Sequence, residues 1–179
     1  MLNELSRSIR FDNASKGFDP TEGGVSRYIL LAISEICEAQ EELRDGRGTN
    51  EVYYQTLNTG TGSTNKPEGF PVEIADAIIR LLDIGAKFEF DFEDLSDVES
   101  ADYSDSKYTI DDWLVGAINT ISMMSLYEPI KETDFEEYLK MGIGTLFLLC
   151  EKLDIKIMDV INEKLEYNRS RPPKHGRKF

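Results

Sequence analysis

Histidine occurs once in this 179-residue chain, at His175, and cysteine twice, at Cys37 and Cys150. One histidine excludes most His-ligated metal sites. Two cysteines make neither a disulfide framework nor a Cys-based zinc site, so a reducing, cytoplasmic compartment is expected. Apolar runs fall well short of the ~20 residues of a membrane-spanning helix. The opening Met1-Leu-Asn-Glu-Leu lacks the basic-then-apolar layout of a secretory leader. Positive charge is scarce: 20 basic residues face 34 acidic ones, a net charge of −14. That balance argues against a protein that binds nucleic acid or an anionic membrane over its whole surface.

What is present is a length suited to one domain with a real core. Charge is uneven along it. Residues 1–168 hold fifteen basic and all 34 acidic groups, a net of −19. The last eleven residues hold Arg169, Arg171, Lys174, Arg177 and Lys178 and no acid. A basic tail on an acidic protein either pairs with the body or meets an anionic ligand.

The apolar spacing is helical. Ile29, Ile33, Ile36, Cys37 and Leu43 predict a helix over 25–44, stopped by Asp45-Gly-Arg-Gly48. Pro71 suits a first helical turn, and the next helix is expected over 71–88. Further helices are expected over 110–127, 133–151 and 157–167, with Thr133-Asp-Phe-Glu136 resembling a capping box. Two long loops are expected, at about 46–70 (rich in Gly, Thr and Asn) and about 89–110. The stretch 89–112 holds ten acids against Lys107 alone and is expected to be loosely ordered. Strand-type alternation is nearly absent. The fold class read from this pattern is all-α, a single domain built as a bundle of about five helices.

Glu35, Glu38 and Glu42 fall within about 60° of one another on the first of these helices. Alone they describe a solvated acidic face. The second helix differs. Glu73, Asp76, Arg80, Asp83 and Lys87 all lie in a stripe about 80° wide, and the rest of the circumference is apolar. A helix of that kind is packed on several sides, so the stripe faces other helices. Carboxylates held there need a partner. Three kinds are open: i,i+4 pairing of Asp76 with Arg80 and of Asp83 with Lys87, pairing with another element such as the basic tail, or a metal ion. All-oxygen ligands suit Mg²⁺ or Mn²⁺ rather than zinc or iron.

Three segments carry a family resemblance. They are Ser34-Glu-Ile-Cys-Glu38-Ala39, Lys66-Pro-Glu-Gly-Phe-Pro-Val-Glu73-Ile-Ala-Asp76-Ala-Ile-Ile-Arg80-Leu-Leu-Asp83, and the ending Lys164-Leu-Glu-Tyr-Asn168-Arg-Ser-Arg171-Pro-Pro-Lys174-His175-Gly176-Arg-Lys178. Together with Lys16-Gly17-Phe18, the chain resembles the MazG-like branch of the all-α nucleoside triphosphate pyrophosphohydrolases, in its bacterial and phage form. The resemblance implies Mg²⁺-dependent hydrolysis of a (deoxy)nucleoside triphosphate to the monophosphate and pyrophosphate. It implies Glu35, Glu38, Glu73 and Asp76 as the metal-binding, catalytic carboxylates. Glu38 or Glu35 would take the proton of the attacking water.

Lys164, Asn168 and Arg171 are spaced by 4 and 3 and so share a helix face, where basic and amide groups suit phosphates and the sugar. Lys174, His175 and Lys178 extend that candidate set. Phe18, Tyr53 and Tyr54 are candidates for stacking a base, with Arg80 and Asp83 as further substrate contacts; each aromatic also suits a core or an interface. A homodimer or homotetramer is implied by the resemblance. Trp113, Met123, Met124, Leu126, Phe147 and Leu148 suit either an interface or the core. Two other readings stand beside the hydrolase: a non-catalytic nucleotide- or protein-binding module of the same fold, and an acidic mimic of nucleic acid. Mimicry needs exposed charge and fits the packed stripe poorly.

Overall fold

The computed structural model describes residues 1–59, 62–93, 95, 108–127, 129 and 133–173. Six α-helices and one hairpin are found among them: α1 (Leu2–Ser15), α2 (Val25–Arg44), β1 (Tyr53–Thr59), β2 (Gly62–Glu68), α3 (Phe70–Lys87), α4 (Ile110–Met123), α5 (Thr133–Lys152) and α6 (Ile157–Ser170). The fold is mainly helical, as its spacing predicts. The five expected helices are α2 to α6, with bounds within a few residues of expectation.

Two expectations need correction. A sixth helix, α1, precedes the others. It is weakly marked in sequence because only Leu2, Leu5 and Ile9 form its inward stripe, and of these Ile9 is fully buried while Leu2 and Leu5 pack partly buried against the core. The expected loop at 46–70 instead contains the antiparallel pair β1–β2, with Tyr53 opposite Glu68 and Thr59 opposite Gly62. The ladder is held by main-chain hydrogen bonds, which need no apolar alternation. The chain is therefore not purely all-α.

Most of the acidic stretch at 89–112 lies outside the described residues. Its two ends are among the described residues. Phe92 is buried against Gly85, and its N–H donates to the Asn3 side chain at 2.8 Å. Phe88 and Phe90 pack on Phe135 of α5. At the far end Thr109 and Asp112 form a reciprocal capping box that starts α4. Thr133 is already the first helical residue of α5.

Helix α3 is the centre of the fold. It packs against α1, α2, α5 and α6, and fourteen of its residues are buried, Phe70 through Gly85 with few gaps. Only a helix apolar nearly all round can be enclosed in this way. Helices α4 and α5 pack on each other and lie against α2 and α3 respectively. Trp113 and Met124 join the core, while Leu126 and Leu148 are exposed. Among the described residues no helix is long and apolar enough to cross a membrane.

The hairpin delivers the chain to α3 through Gly69, which holds φ at +120°. A Cβ there would lie 2.2 Å from the Glu51 carbonyl oxygen. Main chain cannot yield as a side-chain tip can, and the positive φ is itself costly for other residues. Gly46 also has positive φ, but a Cβ there meets open space. Gly69→Ala is therefore expected to lower the unfolding free energy by about 1–3 kcal/mol and to cost more than Gly46→Ala, as read from urea unfolding midpoints.

Candidate functional site

Helices α2 and α3 run antiparallel, because the hairpin between them returns the chain. Three neighbour pairs mark the register: Tyr28 near Asp83, Glu35 on Arg80, and Glu38 near Asp76. The acidic turn of α2 therefore faces the first turns of α3. Helix α6 crosses the same place, with Lys164 reaching Asp76.

The result is one cleft of about 440 Å³. Glu35, Glu38, Glu73, Asp76, Arg80, Asp83, Lys164, Asn168, Arg171 and Phe18 all line it. Ten of the sequence-predicted site residues thus meet in one place, although they come from three helices, the α1–α2 loop and, for Arg171, the extended residue just past α6. Tyr53 and Tyr54 do not line it. The Tyr53 hydroxyl donates to Glu42 on α2 at 3.1 Å, and the Tyr54 hydroxyl donates to Glu163 on α6 at 2.6 Å. They fasten the hairpin to two helices, the interface role that their sequence reading left open beside base stacking. Glu42 is also outside the cleft, held by Arg47 at 2.9 Å. Lys174, His175 and Lys178 lie outside the described residues.

The anticipated i,i+4 pairs are not the ones that form. Asp76 pairs with Lys164 at 2.7 Å, Arg80 with Glu35, Asp83 with Arg10 at 2.7 Å, and Lys87 with Asp19 at 2.9 Å. Every one of these bonds crosses to a different element. A packed stripe brings opposite charges on neighbouring helices as near as those one turn away, and with better aim.

Carboxylate oxygens of Glu35, Glu73 and Asp76 approach within 4.8 Å of one another. Like charges at that spacing are unfavourable in a low-dielectric interior. Glu35 and Asp76 are each matched by a cation. Glu73, only 3% exposed, favours its protonated form instead. Burial, then the Asp76 charge, pushes its carboxyl up to about 9, and a side-chain hydrogen bond to Glu68, which only the protonated Glu73 can donate, supports the same direction. Glu38 stands at the rim. Such burial as it has, followed by the Glu35 charge, raises its carboxyl too.

The opposite end of the cleft is less charged. Tyr28, Leu31 and Ile79 line it with Phe18 and Asn13. Asp83 lies there fully buried, and burial raises its carboxyl to about 6 even though Arg10 and Asn13 oppose the shift. Asn13 Nδ2 donates to its Oδ2 at 2.9 Å. Asp76 and Asp83 are seven residues apart on α3, so the two ends are separated by about 10 Å.

Several residues in or beside the cleft carry no site signal in sequence: Lys66 and Asn13 line it, and Glu68 and Arg10 pair with lining residues. Lys66 and Glu68 are brought in by β2, where alternate residues share a face, and they pair at 2.6 Å. Recognising the strand would have found them. Asn13 and Arg10 sit on the unexpected α1 and had no signal. Lys16, part of a segment already singled out, has a distinct role. Its ammonium donates to the carbonyls of Asn168 (2.6 Å), Arg169 (2.8 Å) and Arg171, and so caps the C-terminus of α6. That clamp holds the turn bearing Asn168 and Arg171 against the cleft.

No family model, curated protein or solved structure matches the chain.

The upward shift of the Glu73 carboxyl has a measurable consequence. A carboxyl whose folded value lies far above its unfolded value costs no stability below the unfolded value, near 4.5. The cost grows as pH rises from there toward 9. Glu73→Gln keeps a donor for Glu68 and removes the charge. In the presence of a chelator its melting temperature should match wild type near pH 4.5. It should exceed wild type by pH 8, by at least the about 2–4 °C that one kcal/mol represents in a domain of this size.

Proposed function

We propose that the protein is a divalent-cation-dependent hydrolase that cleaves a (deoxy)nucleoside triphosphate to the monophosphate and pyrophosphate. One observation carries this reading. Two acidic motifs from different helices and basic and amide groups at the end of α6 line a single cleft, together with Phe18, Tyr28, Leu31 and Ile79. Carboxylates opposite a lysine, an amide and an arginine suit a ligand that is itself polyanionic and arrives with a cation. The motif resemblance to the MazG-like pyrophosphohydrolases points the same way.

The donor set fits a hard cation. Glu35, Glu73 and Asp76 offer converging oxygens with no nitrogen or sulfur ligand among them. Those three, with Glu38 at the rim, would hold Mg²⁺ or Mn²⁺. When bound, the ion offsets phosphate charge and polarises the α-phosphate. Lys164, Asn168 and Arg171 hold the β- and γ-phosphates, where charge develops on the leaving group. Phe18, Tyr28, Leu31 and Ile79 shelter the base and sugar from water. Glu38, open to solvent at the rim, accepts the proton of the attacking water. The water oxygen bonds to the α-phosphorus, the α–β bridging bond breaks, and pyrophosphate leaves with the electron pair. A dimer or tetramer is proposed with this reading.

Product analysis with all eight common NTPs and dNTPs and Mg²⁺ tests it. Monophosphate plus pyrophosphate, never orthophosphate, is the expected outcome. Glu38→Gln and Asp76→Asn should each lower kcat/KM by more than about 100-fold with an unchanged far-UV circular dichroism spectrum. Nucleotide binding without turnover would select the non-catalytic module instead.

A further inference from the structure

Two of the three converging carboxylates already carry a resident cation. Arg80 sets both Nε (2.7 Å) and Nη2 (2.5 Å) on Glu35 Oε1. Lys164 Nζ lies 2.7 Å from Asp76 Oδ2. The two grips are unlike ordinary structural pairs in one respect. Both cations line the cleft, so each faces the space a ligand would fill.

Lys164 is the more telling. It is 2% exposed, yet its ammonium, close as it is to Asp76, satisfies hydrogen-bond geometry with no described protein atom. An ammonium has three donors and no acceptor. Burying it with none of them well directed is expensive, and ligand oxygens in the cleft would relieve that expense. Arg80 is likewise only partly committed. Its fork has five N–H donors, and its side chain is 30% exposed. The planar fork matches a phosphate as well as it does a carboxylate.

We propose that Arg80 and Lys164 are exchangeable counter-ions, which neutralise Glu35 and Asp76 in the metal-free protein and turn onto phosphate oxygens when a divalent ion and a polyphosphate bind. This exchange presupposes the polyphosphate reading of the cleft and adds to it a rule of binding. A divalent ion alone competes with two resident cations. A polyphosphate alone faces carboxylates. Together they supply both missing partners, so each strengthens the other's binding, and linkage makes the effect reciprocal.

Calorimetric titration of the full chain tests the exchange with two separate probes: Mn²⁺ alone, and tripolyphosphate alone in chelator. Removing a unit charge beside a carboxylate site should shift the two affinities in opposite directions. Arg80→Gln and Lys164→Met are each expected to bind Mn²⁺ about 10-fold more tightly than wild type and tripolyphosphate about 10-fold more weakly. Arg80→Lys and Lys164→Arg keep the charge and should retain Mn²⁺ affinity near the wild-type value. A purely structural role would weaken both affinities or change neither, and either result overturns the proposal. Arg80→Gln, at the more exposed position, decides the matter if Lys164→Met does not fold. The titrations need no turnover. If the opposite shifts are absent while wild type still hydrolyses a nucleotide, the exchange alone falls. If they are present and no nucleotide is hydrolysed, the hydrolase reading alone falls. A wild-type chain that binds neither probe overturns both.

Discussion

Charge enclosed by packed helices is the constraint on which this protein is built. Helix α3 is buried through most of its length, yet it carries five charged residues in one narrow stripe. The buried ones, Glu73 and Asp83, cannot be left charged and unmatched without a cost of several kcal/mol. The surrounding elements are arranged to meet that demand. Helix α1 brings Arg10 to Asp83, α2 brings Glu35 to Arg80, and α6 brings Lys164 to Asp76. The apolar contacts hold the bundle together, and these cross-helix pairs give each helix its partner.

The same constraint concentrates chemistry. Residues that neutralise a packed stripe must converge, and here they converge around a cleft rather than closing it. Burial and the neighbouring Asp76 charge raise the Glu73 carboxyl, so the demand of three carboxylates is met by two cations and by the preference of Glu73 for its protonated form. Such a balance is stable without a ligand and open to exchange with one. The hairpin and the Lys16 clamp complete the surroundings. Tyr53 and Tyr54 tie the hairpin to α2 and α6, and Lys16 fixes the last turn of α6. These struts are polar, lie at the margins, and let the walls of the cleft come from elements far apart in the chain.

Much of this was legible beforehand, and the limits are instructive. Helices α2 through α6 were readable because each has an apolar stripe at helical spacing, and α3 because its apolar residues leave only a narrow gap. Helix α1 has only three apolar residues on its inner face and left little trace. The hairpin was unreadable by composition, because its pairing lies in the main chain and its residues are polar. Consequently Lys66, Glu68 and Asn13 were missed, each carried by an element that was itself unrecognised. Tyr53 and Tyr54 suit either base stacking or an interface by sequence, and only the fold places their hydroxyls on Glu42 and Glu163.

The sequence by itself determined which residues would be charged in a packed environment, and therefore which had to find partners. Periodicity is a property of a single helix and can be counted along one chain. The choice of partners was decided only by tertiary structure. Asp76 and Arg80 stand one turn apart, in ideal register for each other, yet each bonds to a different helix. Distance across an interface depends on how three helices cross, and no local spacing encodes it. The packing of α2, α3 and α6 turned a list of charges into a site.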